Sequence, residues 1–540
     1  MKLGILRIGI AAGTSCTLLL LLSGSPPSST PAQAPNPELS RQLQTAQQRY
    51  QAGDLDGAIL AYQQAIKLNP QSGLAYSSLG SALLDKNNPK DAVAALEQAV
   101  ALLDKPAAAV PGSSQIRRVS DPLNLALTLN NLALAYYQLN RLDEALARAD
   151  RAVQIQPSLS NCWNTRGMVL ELQGKLDDAI VSYRKAAGIS PKSANMSHNL
   201  GEALQRKGQL DDAILVLQQG LSFHPTDAEL LAAYAKALTA KERFAEAEAA
   251  YQKSLATTSD VPATLYGLGF ALRFQGKYPE ALKADLRAHE LAPGDADITL
   301  GLASLYAEMG QFEEAAPMLQ SMASTTSGNP LYLLLQADSL INEDRRKEAL
   351  PLLQQALAAR PDFPEAIATL AALQIDLDQT PKGMEMVKRA LAAHATSPDL
   401  HNSYGLLLAA NSKFPEAQLE YEKALALRPN FPDAMVNHAV ALARQIRSSE
   451  AIAEFQSVVL ANPKNLKAQA NLAVTLLNAK RFDDASTAFR LAIALAPSDP
   501  DLRTNLGIAL ERGGHAREAR QAYAEGEKLR SSPTNRQAHP

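Results

Sequence analysis

Leu142-Asp143-Glu144-Ala145-Leu146-Ala147 returns along the chain as Leu176-Asp177-Asp178-Ala179, Leu210-Asp211-Asp212-Ala213, Phe312-Glu313-Glu314-Ala315 and Phe482-Asp483-Asp484-Ala485. The interval is 34 residues or a multiple of it. Steps of 34 from Ala145 land on Ala179, Ala213, Ala247, Ala281, Ala315, Ala349, Gly383, Ala417, Ala451, Ala485 and Ala519. Upstream, Ala58 and Ala92 are also 34 apart, but Ala92 to Ala145 is 53, which leaves 19 extra residues. A fixed period in this range marks stacked structural repeats, each too small to bury its apolar face alone.

Twelve residues before each of these positions stands a second small residue, from Ala46 and Gly80 to Ala473 and Gly507. Alanine richness alone would not hold two columns small through fourteen units in one register. Small residues at this spacing let two antiparallel helices approach closely. Leucine or tyrosine flanks the first column (Leu132, Leu200, Tyr136, Leu204), and a large residue follows the second by four (Tyr62, Tyr183, Tyr421, Phe455, Phe489). Spacings of three and four make one helical face. Between the two predicted helices, ten units place Gly, Asn or Asp, such as Gly53, Asn87, Gly276 and Asp344. These residues accept the left-handed backbone that ends a helix. Pro70, Pro157, Pro191 and Pro225 close the second helix, since proline cannot continue a helix interior.

A 34-residue helix–turn–helix unit with small, aromatic and proline columns resembles the tetratricopeptide repeat. The match is clearest between Asn161 and Pro191, with Trp163, Gly167, Leu170, Ala179, Tyr183, Ala186 and Pro191 all in place. Unit ten departs from it, with Gly383 in the alanine column and no closing proline, and units six and eight close on Ser259 and Ser327. The resemblance implies an all-α chain, a right-handed α-solenoid superhelix of about fourteen units. First helices would line the concave wall and second helices the outside. Residues 39–106 hold units 1–2, residues 107–125 a Pro-, Gly- and Ala-rich insert loop, and residues 126–533 units 3–14. Residues 534–540 read as a disordered tail.

The composition agrees with this architecture. Hydrophobic residues make up 46% of the chain but aromatics only 5%, so the apolar content is largely alanine and leucine, strong helix formers. Lys plus Arg is 52 against 55 for Asp plus Glu, a formal charge of −3. Nucleic-acid binders normally carry a basic excess or stripe, so that class is excluded.

Residues 1–34 carry Lys2 and Arg7, an apolar run from Ile8 to Leu22, and Ala32-Gln33-Ala34, and residues 35–38 form a linker. A charged start, a short apolar core and a small-residue end make a secretory signal. Pro35 disfavours cleavage after Ala34, so an uncleaved membrane anchor is the alternative. Cys16 lies inside the apolar run, ahead of five leucines, and makes a poor lipidation site. The expected location is bacterial and exported, either periplasmic or envelope-associated, with membrane contact through this segment alone.

No catalytic constellation is present. His-Glu-x-x-His and Cys-x-x-Cys are missing, so no metal site or cofactor is expected. The paired acids, Asp177-Asp178 and its equivalents, fall in the first turn of each second helix, where negative charge complements the helix dipole. The remaining candidate site is the concave wall. Asn131, Asn199, Asn437, Asn471 and Asn505 recur two positions before the first small column. The resemblance implies that such inward amides can bind the backbone of an extended peptide, since an amide both donates and accepts; local hydrogen bonds are the competing account. The middle units differ, with Tyr266, Phe270, Leu300, Leu334, Leu335 and Ala368 inward and Arg273 nearby. That apolar centre fits either a grip on hydrophobic peptide anchors or a tighter stretch of superhelix packed on itself. The expected function is a non-enzymatic scaffold for protein or peptide partners in cell-envelope or secretion-related assembly. The alternative is the recognition arm or subunit of a glycosyltransferase-like or other enzyme complex.

Overall fold

The computed structural model describes residues 37–104 and 122–531. The signal or anchor segment, most of the insert and the tail lie outside the described residues. Within them are 28 α-helices and no strand. They pair as fourteen antiparallel hairpins, from α1 (Pro37–Gln51) with α2 (Leu55–Leu68) to α27 (Pro500–Arg512) with α28 (Ala516–Arg530). Two boundaries differ from the sequence reading. Helix α1 begins inside the expected linker, and α5 (Pro122–Gln138) takes residues 122–125 from the expected insert. Both start on proline, whose fixed φ is already suited to a first helical turn.

The two small columns have a direct packing cause. A Cβ on Gly80 or Gly201 would stand 2.3 or 2.6 Å from Leu96 or Leu217, and one on Gly167 or Gly405 would stand 2.6 or 2.4 Å from the ring of Tyr183 or Tyr421. The large residue of the second helix therefore lies flat on the glycine of the first, sixteen positions earlier in each case. Gly383, the one departure in the alanine column, is also required: a Cβ there would meet the Ala371 carbonyl at 2.7 Å.

All fourteen hairpin turns carry one residue at positive φ. Ten are the Gly, Asn and Asp residues expected from sequence; the other four are Glu242, Ser412, Ile446 and Lys480. Ile446 has φ +64 and is 89% exposed, so a β-branched side chain is held in the left-handed region with no packing in return. Replacing Ile446 with glycine is expected to stabilise the array by about 1 kcal/mol, relief of left-handed strain net of glycine's extra chain entropy. Thermal melting of the variant checks it; an unchanged or lower midpoint counts against the strain.

Most second helices lack a side-chain cap at their start, as at Arg141, Lys175 and Gln209. The acids of the first turn supply negative charge there, and they do more than the sequence reading assigned. Asp56 pairs with Lys86, Asp177 with Lys207 at 2.9 Å and Asp211 with Lys241 at 3.0 Å, each tying one unit to the next. The second acid of a pair turns back, as Glu144 does to Arg141 and Asp484 to Arg481. Such exposed pairs contribute little each.

Helices α1–α11 belong to one compact unit, ending at Lys241, and α12–α28 to a second that starts at Glu242. In both, neighbouring first helices touch along one wall, α5 with α7 (Ser160–Leu172) and α13 (Pro262–Arg273) with α15 (Ala296–Glu308), while second helices make no comparable contact with each other. First helices therefore form the shorter, inner face of the curve. At the C-terminal end, Arg517, Glu518, Arg520, Glu525, Glu527 and Lys528 of α28 are exposed and give it a polar surface.

Candidate functional site

Inward amides in the N-terminal unit are linked from unit to unit. Asn131 donates its Nδ2 to Ser81 Oγ at 2.8 Å, and Asn199 donates to Asn164 Oδ1 at 2.8 Å. Ser77 and Thr128 share a hydroxyl hydrogen bond at 2.8 Å beside them. Asn131 is 3% exposed and Asn199 half-buried. One N–H of each amide is thus committed to a neighbouring helix.

In the C-terminal unit the arrangement repeats once, with Asn437 Nδ2 donating to Asn402 Oδ1 at 2.9 Å. Asn471 instead donates to the Lys467 carbonyl of its own helix at 2.9 Å, and Asn505 is half-buried on α27. Tyr266, Phe270 and Arg273 share one face of α13. Tyr266 lies on Gly301, where a Cβ would stand 2.2 Å from its ring. Phe270 packs on Phe274 with ring centroids 4.6 Å apart, and Phe274 stacks on Phe244 at 5.0 Å. Arg273 donates through Nε to Glu308 Oε2 at 2.7 Å and through Nη2 to Ser304 Oγ at 2.9 Å. The eight candidates therefore fall into separate groups. Asn131 and Asn199 are in the first unit, the α13 trio and the three later asparagines in the second.

Leu300, Leu334, Leu335 and Ala368 are all buried. Tyr266 and Phe270 of the same apolar centre are half-buried.

Sequence reading missed a network of charges on the inner face of the second unit. Arg428 binds Asp399 through Nη2 at 2.8 Å and Nη1 at 3.3 Å. Burial pushes the Asp338 carboxyl of α17 (Pro330–Asn342) up to about 7, with Asp433 and Asp399 adding repulsion and a hydrogen bond with Thr369 and the charge of Lys467 offsetting it in part. Burial raises Glu365 and Asp399 as well, the latter despite Arg428. Burial also opposes ionisation of Glu308, but Arg273 outweighs it and keeps that carboxyl below its ordinary value. The signal was present in the sequence: an acid recurs six positions before the first small column at Asp297, Glu365, Asp399, Asp433 and Asp501. Among the described residues no group of His, Cys, Asp and Glu could hold a metal ion, and no helix is long and apolar enough to cross a membrane.

Sequence models described as tetratricopeptide repeat or TPR repeat match residues 46–87, 74–102, 130–194, 170–237, 260–321, 340–407, 404–470, 436–500 and 470–536. Together they account for most of the chain. No curated protein matches it at a significant level. Among solved structures, the APC/C hetero-tetramer Cut9-Hcn1 is similar at 12% identity, covering 92% of this chain and 95% of that one, with a TM-score of 0.47. Pseudomonas aeruginosa pilF is similar at 19% identity over 39% of this chain and 97% of its own, with a TM-score of 0.36. PilW, described as a type IV pilus biogenesis factor, is similar at 19% identity over 38% and 96%, also with a TM-score of 0.36.

Proposed function

Because the chain belongs to the tetratricopeptide repeat family, we propose that it is a non-catalytic scaffold that binds protein segments along the inner face of its first helices. The observation that carries this reading is, within each unit, a wall of touching first helices bearing polar side chains, Asn199 in the first unit and Asn437, Asn471 and Asn505 in the second. An amide on such a wall can donate to a peptide carbonyl and accept from a peptide N–H. The ladder bonds use one N–H of Asn199 and of Asn437, and each NH2 has two. The partners would be proteins or peptides. Lys2, Arg7 and the apolar run from Ile8 to Leu22 support placing this scaffold outside the cytoplasm, in envelope or secretion-related assembly.

Asn437, Asn471 and Asn505 changed together to alanine are expected to weaken a partner captured from envelope extract by about tenfold, the loss of roughly 1.4 kcal/mol. Helical content should stay unchanged. Titration of the purified partner against both proteins is the measurement. Equal affinities would remove the asparagine wall from the site, and an extract that gives no saturable partner would count against the scaffold itself.

A further inference from the structure

In the C-terminal unit the superhelix meets itself after one turn. Asn430 donates its Nδ2 to the Gln275 carbonyl at 3.3 Å, across 155 residues of chain. Asn462, itself buried, donates to the Met309 carbonyl at 2.7 Å across 153 residues. Lys464 faces Glu314 at 3.7 Å. The Arg428 guanidinium lies 5.4 Å from the ring centre of Phe274 and 4.5 Å from that of Phe431, held in place by Asp399. Gly276 and Asn430 both have positive φ, at +73 and +63, and interlock so closely that a Cβ on Gly276 would stand 2.4 Å from that of Asn430. The turns after α13 and α15 thus meet the loops before α23 (Pro432–Arg444) and α25 (Leu466–Asn478).

These contacts differ in kind from those between neighbouring hairpins. Neighbours share apolar clusters, such as the one running from Leu300 to Leu335 and the one running from Val436 to Ala522. No apolar cluster of the described residues joins the first of these turns to the second. What joins them is side-chain amides on carbonyls, one exposed ion pair, a cation over a ring and the attraction of Arg428 for Glu308. Contacts of this kind open locally without unfolding what lies on either side.

We propose that this meeting point is a reversible clasp, and that parting it admits ligands to the inner face around Arg273, Ser304 and Asp338. The proposal holds whether or not those ligands are peptides. It is tested on the full chain. A carbodiimide forms an amide between Lys464 and Glu314 only while the two are in contact, and mass spectrometry reads it. Ser304→Cys, made with Cys16→Ser and Cys162→Ser, places the one thiol on the enclosed face, and its maleimide labelling rate reads access. Gly276→Val wedges the clasp. Asn430→Ala with Asn462→Ala removes its hydrogen bonds without adding bulk, and serves if the wedge disturbs folding. The expected result is a crosslink in the wild type that is lost in both variants. Labelling at position 304 should rise about tenfold in both, with helical content unchanged. A wild type that gives no crosslink, or variants that keep it and label at the parent rate, would overturn the clasp. Labelling of the Ser304→Cys protein with an intact clasp no faster than global unfolding would make the contact a permanent seam and overturn its reversibility.

Discussion

Asp285→Leu is expected to stabilise the C-terminal unit by about 4 kcal/mol above pH 7, and by much less near pH 4. Asp285 occupies the column that elsewhere sets Tyr or Leu against a first-helix glycine. Its Oδ1 would stand 1.9 Å from a Cβ on Gly269, in the place that Leu96 takes on Gly80 and Leu217 on Gly201. The residue is 2% exposed, and its buried Oδ1 accepts no hydrogen bond. Burial pushes its carboxyl from 3.8 up to about 7, with Arg273 drawing it partly back. The sign follows from proton binding. Between pH 3.8 and about 7 the folded chain holds a proton that the unfolded chain has released. Wild-type stability therefore falls as pH rises through that window, and the loss is complete above it. Leucine has no proton to lose and restores a pairing the chain already uses twice. Urea denaturation of both proteins from pH 4 to pH 8 is the measurement. A leucine variant that gains nothing at pH 8, or gains equally at both ends, would show that Asp285 finds a partner in solution.

Phe489→Ala should produce the largest loss, about 4 kcal/mol, because a fully buried ring leaves a cavity that its surroundings fill only in part. Phe489 lies at 0% exposure in α26 (Phe482–Leu495), between α25 and α27. The loss is expected to stay local. In a quasi-one-dimensional array each hairpin is held by itself and its neighbours. Amide exchange should rise through α25–α28 and stay at the wild-type level in α1–α11. A uniform rise across the chain would mean that the array unfolds as one cooperative block.

Much of this architecture was legible because its causes are local and repeated. A glycine or alanine every 34 residues, a large residue sixteen later and a turn former between them settle a hairpin without long-range information. The left-handed turn at Ile446 was not legible, because nothing in an isoleucine announces it. Its neighbours on both sides build helices in register, and the backbone between them has no other path. The inner face was less legible still. Asn131 and Asn199 were readable as inward amides, but their hydrogen bonds run to other units, and register between units is set by packing. The charges around Arg428 and the contact of Asn430 with Gln275 depend on how tightly the superhelix winds. Curvature is the sum of small angles at many interfaces, and no single residue encodes it.

The acid–lysine ties between hairpins bear on how such a chain can change length. Asp177 reaches Lys207 and Asp211 reaches Lys241, each about thirty residues ahead. Excising residues 177–210, one whole period, would bring Asp211 into the place of Asp177 with its own lysine still ahead of it. The same holds for duplicating that block. Such a cut keeps this tie and sets Leu217 opposite Gly167 in place of Tyr183, while Glu171 exchanges its partner Arg206 for Ala240. A cut of any other size strands both the tie and the glycine, so the chain can be lengthened or trimmed in whole modules and in nothing smaller.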